Sequence, residues 1–394
     1  MRMNTPISFT GRYAAVPILF AFFCMGFGDV AGSLTSQIQN DFTLSYFTAG
    51  LLTFMGFIMF GVLSIPMGII QARIGKKNVL LFGLGVALCG LILPIISHYS
   101  NFTSLLASIL LLGAGATCLQ VAGNPIMRDV SPEGKYSRNL SLGQFIKAIG
   151  SLSGSLIPLL AAKYWGLDWK ILFPLYAGFI FLTILYIFLS PIRERIDEIE
   201  KRTVTFHSCM SLLTNKTILL LVLGIFFYVG AEVSIASKLP NYLKDVFYYD
   251  IKKLGLLGTL LFFIALTFGR FLGSIILNWI SPKRFLIITL LVSITGNIML
   301  LAANSTVAAF SAILIVGIGF ANIFPLIFSI AIDYRPEKSN EISGLMVTAI
   351  IGGAIIPLFF GIVADLTSVT TGFIIPLCCM LYLLSIATIN IKRL

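Results

Sequence analysis

Charge and histidine are what this chain lacks most. Only 11% of its 394 residues are Asp, Glu, Lys or Arg, and its two histidines, His98 and His207, fall in or near loops expected on opposite sides of a membrane. No cluster of His, Asp and Glu has the spacing of a metal site or of a nucleophile with its base, so an enzyme is hard to build here and neither cofactor nor metal is expected. The six cysteines (Cys24, Cys89, Cys118, Cys209, Cys378, Cys379) lie almost all inside apolar runs and show no paired spacing across loops, which argues against a disulfide framework. No loop is long enough for a soluble sensor or output domain, which argues against a receptor.

What fills the chain instead is apolar. Hydrophobic residues make up 58% of it and the mean hydropathy is +0.98, outside the range of soluble globular proteins. A helix needs about 20 apolar residues to cross about 30 Å of hydrocarbon. Twelve such windows are centred near Phe23, Phe57, Gly85, Leu112, Ser151, Phe179, Phe226, Phe263, Leu291, Ile315, Gly353 and Leu381. The predicted fold is an all-α membrane protein of twelve transmembrane helices. Span one follows no strongly basic segment and carries Asp29 in its middle, so it is expected to be retained and not cleaved as a signal peptide.

A net charge of +11 would point to nucleic acid in a soluble protein, but its distribution explains it. Counted by alternate loops, one set, with both termini and the central loop, holds 19 Lys and Arg; the other holds 6, and Lys147 and Arg270 lie inside spans. That asymmetry places the termini and the central loop in the cytoplasm, with the chain in the inner membrane. A dense run of mixed charge from Pro191 to Arg202 reads as a solvated linker helix. The expected organisation is a six-helix half over 1–190, a cytoplasmic linker over 191–215 and a second six-helix half over 216–394. Two such pseudo-symmetric halves, related by an axis along the membrane normal, would hold a ligand at their interface near the midplane.

Polar groups at membrane depth mark that interface. Span four ends in Gln120-Val-Ala-Gly-Asn124-Pro125, where two amides four residues apart share a helix face, and span five begins Gly143-Gln144-Phe-Ile-Lys147. Hiding such groups in lipid is costly unless they meet a partner or a cavity. With Asn322 in span ten, the amides form a set of neutral donors and acceptors from both halves, suited to a polyhydroxylated ligand, or else staples between helices. Asp29 and Glu232 are mid-span acids of the two halves. Each is either a proton carrier or one member of a fixed ion pair, Lys147 being the partner open to Asp29. Lys147 could also bind an anionic substrate or snorkel. Phe226, Phe227 and Tyr228 could stack on a sugar ring or simply pack. Arg270 is expected at the cytoplasmic end of span eight in a gating role.

After span two comes Gly68-Ile-Ile-Gln-Ala-Arg73-Ile-Gly75-Lys76-Lys77, a basic turn after glycine-permitted helix packing, and Gly273 to Arg284 repeats it in degraded form. The first copy resembles the signature loop of the major facilitator superfamily, with Ala72 where an aspartate is usual, which assigns Arg73 and Gly75 to gating. Further stretches, Thr348 to Pro357 with Gly361 to Asp365, Asn124-Pro125, Ser137-Arg138-Asn139 to Gln144, Phe42-Thr-Leu with Ala49-Gly50, and Gly269-Arg270-Phe-x-Gly273, resemble the fucose/glucose/galactose permease group of that superfamily. The resemblance implies import of a monosaccharide by proton symport, with sodium used by some members. The departures concern charge. Gln120 stands where fucose permeases carry glutamate, their span-one acid would fall at Gly32, one turn after Asp29, and Lys147 stands where asparagine is common. Expected partners are a small sugar, a proton or sodium ion and the bilayer, with no nucleic acid, and the chain is read as a monomer. The alternatives are transport of an acidic sugar or another anion on Lys147, sodium-coupled or uniport sugar transport, and multidrug efflux.

Overall fold

Inside a bilayer the backbone of such apolar runs can satisfy its own N–H and C=O groups by forming helix. The computed structural model describes residues 15–29, Leu34, Ile38, 41–44, 46–192, 205–248 and 256–389. The charged run of the linker over 193–204, the Gly32 position and both termini lie outside the described residues. In the first part of the chain the helices are α1 (Val16–Met25, continued by a 3-10 turn, Gly26–Asp29), α2 (Tyr46–Ile74), α3 (Lys76–Ile96), α4 (Phe102–Asp129), α5 (Tyr136–Trp165) and α6 (Leu172–Leu189). A short helix, α7 (Phe206–Leu212), then leads to α8 (Lys216–Phe247), α9 (Leu256–Ile276), α10 (Pro282–Ala302), α11 (Thr306–Phe320) and α12 (Ile323–Tyr334). The last are α13 (Ser339–Thr348), α14 (Gly352–Leu366), α15 (Val369–Gly372) and α16 (Ile374–Ile389). Spans ten and eleven are thus each two helices in line, α11 with α12 and α13 with α14.

Among the described residues, ten helices are long and apolar enough to cross a membrane, and Val16–Asp29 is a shorter apolar helix. Span five is α5, 30 residues long. Along its first half Ser137, Asn139, Ser141 and Gln144 are buried, so that half packs against protein and is not selected for lipid solubility. Lipid selects instead the faces that carry Phe82, Leu182, Phe188, Leu358 and Phe359, all exposed.

The seam between the first six spans and the rest is made where α5 packs on α9 and α12, and where α2 and α4 pack on α13. Hydrogen bonds across it include Gln71 Nε2 to the Asn340 carbonyl (3.5 Å), Ser137 Oγ to Ser329 Oγ (2.7 Å), Arg128 Nε to Asp333 Oδ1 (2.9 Å) and Arg138 Nη1 to Asn278 Oδ1 (3.3 Å). All four lie toward the end of the bundle that carries Arg73, Lys283 and Arg335, the basic end. Short helix α7 seats Cys209 over the same seam, against Ile65 of α2 and Leu345 of α13. Burial there, reinforced by the Glu341 charge, pushes the Cys209 thiol up to about 12.

Candidate functional site

Two glycine contacts set the site. Gly26 of the first span and Gly150 of α5 abut so closely that a side chain at Gly150 would collide with the Phe23 carbonyl, and one at Gly26 with the Lys147 carbonyl. The contact brings the end of the first span onto the middle of α5, and Lys147 Nζ lies 3.2 Å from Asp29 Oδ2. Ser151, one turn on, donates to the same carboxylate oxygen at 2.7 Å. The second half repeats the device: a side chain at Gly352 would collide with the Phe226 carbonyl. Asp29 follows Phe23 by six residues and Glu232 follows Phe226 by six, so the two acids occupy matching places in the two halves.

Glu232 takes its base from a different helix. Arg270 of α9 reaches Glu232 Oε1 with Nη2 at 3.6 Å, donates from Nε to the Ala321 carbonyl at 3.2 Å, and from Nη1 to the Gln144 carbonyl at 3.4 Å. Proline explains why a carbonyl is free at Ala321. Pro325 has no N–H to return to the residue four before it, so the helix opens between α11 and α12 and the freed oxygen accepts from Arg270 instead. Pro125 does the same to Val121, whose carbonyl accepts from Ser343 of the other half at 2.6 Å. Gly269 and Gly273, which flank Arg270, let α9 lie against this break: the first abuts Ala321, the second the Asn322 amide.

The amides expected around a ligand are sealed in this arrangement. Gln120, Asn124, Gln144 and Asn322 are all at most 3% exposed. Gln144 Nε2 faces Asn124 Oδ1 at 3.5 Å, Tyr136 donates to the Asn124 carbonyl at 3.1 Å, and Asn322 Nδ2 donates to the Gly269 carbonyl at 2.7 Å. Asn322 is placed as a staple across the helix break. Tyr228 is fully buried with its hydroxyl on the Phe320 carbonyl at 3.1 Å, while Phe226 and Phe227 meet edge to face. The charged groups are less enclosed: Asp29 is 37%, Glu232 16%, Lys147 14% and Arg270 10% exposed in the side chain.

Arg73 is exposed at the end of α2, and Gly75 takes a left-handed φ of 92° that turns the chain directly into α3. Sequence reasoning did not find Ser151 as a partner of Asp29, the Arg270 to Glu232 pairing, or the seam residues Ser137, Ser329, Ser343 and Asp333. The glycines at 26, 150, 269 and 273 were the usable signal, since each marks a backbone approached by another helix.

A bundle of apolar helices in two sets, each with an acid–base pair at membrane depth and the two joined along a seam of hydrogen bonds, has the construction of a membrane carrier. The model of the Major Facilitator Superfamily matches residues 18–357, and the chain belongs to that family. It is 29% identical over 385 residues to the glucose/galactose transporter of Brucella abortus, covering 94% of this chain and 92% of the relative. To the L-fucose-proton symporter of Escherichia coli it is 25% identical over 391 residues, covering 88% and 85%. Among solved structures it superposes on the transporter FucP in the outward conformation with a TM-score of 0.81, at 22% identity, covering 95% of this chain and 99% of that one. The proton:xylose symporter XylE follows the same fold with a TM-score of 0.74 at 14% identity, covering 95% and 94%. The chain is thus a multi-pass membrane transporter with sugar-transporting relatives, not an enzyme.

Proposed function

We propose that this protein imports a neutral monosaccharide by proton symport, as a monomer in an inner membrane whose cytoplasmic face meets the basic end. Two halves, with bounds near 190 and 216, rock about the gap between them, and the structure corresponds to the state closed toward the cytoplasm. The observation that carries the reading is the Asp29 to Lys147 pair, at 3.2 Å with 37% of the Asp29 side chain exposed. A pair that is partly solvated is weak enough to be broken and remade in each cycle. Protonation of Asp29 releases Lys147 to the sugar hydroxyls, and return of Lys147 expels the proton, so one carboxyl alternates between two partners. Gln120, Asn124 and Gln144, buried on α4 and α5, take sugar hydroxyls when the halves move. Relatives that carry glucose, galactose and fucose point to the same ligand class.

The deciding measurement is made on reconstituted vesicles loaded with a pH dye and challenged with a panel of neutral and acidic sugars. At least one neutral hexose should carry protons inward with it. If none does, or only uronates do, the reading fails.

A further inference from the structure

We propose that Arg270 is a positioning residue of the transport cycle. Through the Gln144 carbonyl it ties the two halves together while ionised Glu232 holds its guanidinium in place, so Glu232 sets the gate and does not carry a second coupled ion. The inference rests on the alternating-access reading above and leaves Asp29 as the coupling acid.

The argument begins with the three bonds of the guanidinium. Two of them, to the Ala321 carbonyl and to Glu232, stay within the second half, and the third, to the Gln144 carbonyl at 3.4 Å, crosses the seam. The planar fork of arginine can serve three directions at once, which a lysine ammonium on a flexible stem cannot reproduce. Arg270 is 8% exposed, and two of its acceptors are uncharged carbonyls. A cation so far out of water needs an anion, and Glu232 is the carboxylate that reaches it. Remove that charge and the guanidinium gains by turning toward water in the gap, which costs it the Gln144 carbonyl.

The position of Gln144 makes this bond consequential. On α5 it lies between Ser137, bonded to Ser329 of the other half, and Lys147, bonded to Asp29. Among the described hydrogen bonds that α5 makes across the seam, the Arg270 bond is therefore the innermost. When α5 leaves α9 to open the basic end, this contact must break, whereas the other two can persist. Glu232 thus acts on the equilibrium between states through Arg270, without touching the coupled proton.

The test uses cysteines at Ser137 and Ser329, whose hydroxyls lie 2.7 Å apart, in a full-length chain whose six native cysteines are replaced. Disulfide yield under a mild thiol oxidant, in lipid nanodiscs and without sugar, reads the closed state. Glu232→Gln and Arg270→Lys should each lower the closed-to-open ratio by about tenfold, the worth of one charge-assisted hydrogen bond. In vesicles the Glu232→Gln protein should turn over at an altered rate with its proton-to-sugar ratio unchanged. An unchanged disulfide yield in folded Glu232→Gln protein overturns the proposal, and this isosteric variant suffices if Arg270→Lys does not fold. A lost proton-to-sugar ratio in Glu232→Gln also overturns it. Because the disulfide reading involves no sugar, failure of every sugar to move protons would sink the proposed function and leave this result standing.

Discussion

The two acid–base pairs of this transporter start from matching places and end in different surroundings. Asp29 and Glu232 each follow by six residues a carbonyl pressed against a glycine of the partner span. Asp29 finds its base on α5, keeps 37% of its side chain accessible and is held otherwise by one serine hydroxyl. Glu232 finds its base on α9, is 16% accessible, and that base is held by two carbonyls as well. A group that must exchange a proton with water needs the first setting, and a group that must hold a fixed geometry needs the second. Pseudo-symmetry of backbone has therefore not meant symmetry of task.

The largest effect should separate the two acids outright. A pH step of one unit stores about 1.4 kcal/mol per proton, enough for about tenfold accumulation of sugar. Asp29→Asn should abolish that accumulation while leaving exchange of labelled sugar across the membrane, and Glu232→Gln should leave accumulation in place. Uptake under an imposed pH gradient checks both. Equal loss in the two variants would erase the distinction between the pairs.

Next in size is the glycine contact that both halves share. Gly150→Val and Gly352→Val each drive a side chain into a backbone carbonyl, Phe23 or Phe226, which cannot yield as a flexible side chain would. Each should lower stability by about 1–3 kcal/mol or more, read as a drop in thermal midpoint in detergent. A tolerant Gly352 beside an intolerant Gly150 would show that the matching of Asp29 with Glu232 is looser than their common spacing indicates.

Much of this difference was invisible in the sequence, for reasons that particular residues make plain. Hydropathy revealed the spans because lipid-facing helices have no alternative to apolar sequence, and it marked α5 as a span although the first half of that helix buries polar residues against protein. Asp29, Lys147 and Glu232 stood out because charge at membrane depth is expensive. Arg270 was read by its distance from a loop, and distance along a helix says nothing of the direction in which a long side chain extends. Asn322 was open to two readings, a ligand contact or a staple between helices, and in the fold its amide donates to the Gly269 carbonyl. The requirement came from Pro325, which opened the helix there and called for a staple. Neither role could be read without knowing that α9 lies alongside.

Removing that staple should cost less than the glycine clashes. Asn322→Leu leaves the Gly269 carbonyl without its donor and should destabilise by about 1–2 kcal/mol, the upper range for interhelical hydrogen bonds in membranes. Asn124→Leu in the first half should cost less, because its side-chain contact with Gln144 is long at 3.5 Å. Thermal midpoints of the two variants measure the contrast, and the reverse order would contradict the assignment of Asn322 as the firmer of the two.

The smallest expected effect concerns the exposed pair itself. Lys147→Ala and Asp29→Asn, alone and combined, form a cycle whose coupling energy reports the worth of the 3.2 Å contact apart from the loss of each group. With Asp29 more than a third exposed, solvent screening should hold that energy to about 0.2–1 kcal/mol in favour of the pair. The same cycle on Glu232 and Arg270 should give a larger value, because both partners are more deeply enclosed and the guanidinium is tied to two further acceptors. Thermal midpoints at low and high salt provide the check: the Asp29 term should shrink with salt while the Glu232 term holds. A coupling of several kcal/mol at Lys147, insensitive to salt, would mean a bridge too firm to open in each cycle. Asp29 would then be a structural anchor, and proton exchange would have to pass to Glu232.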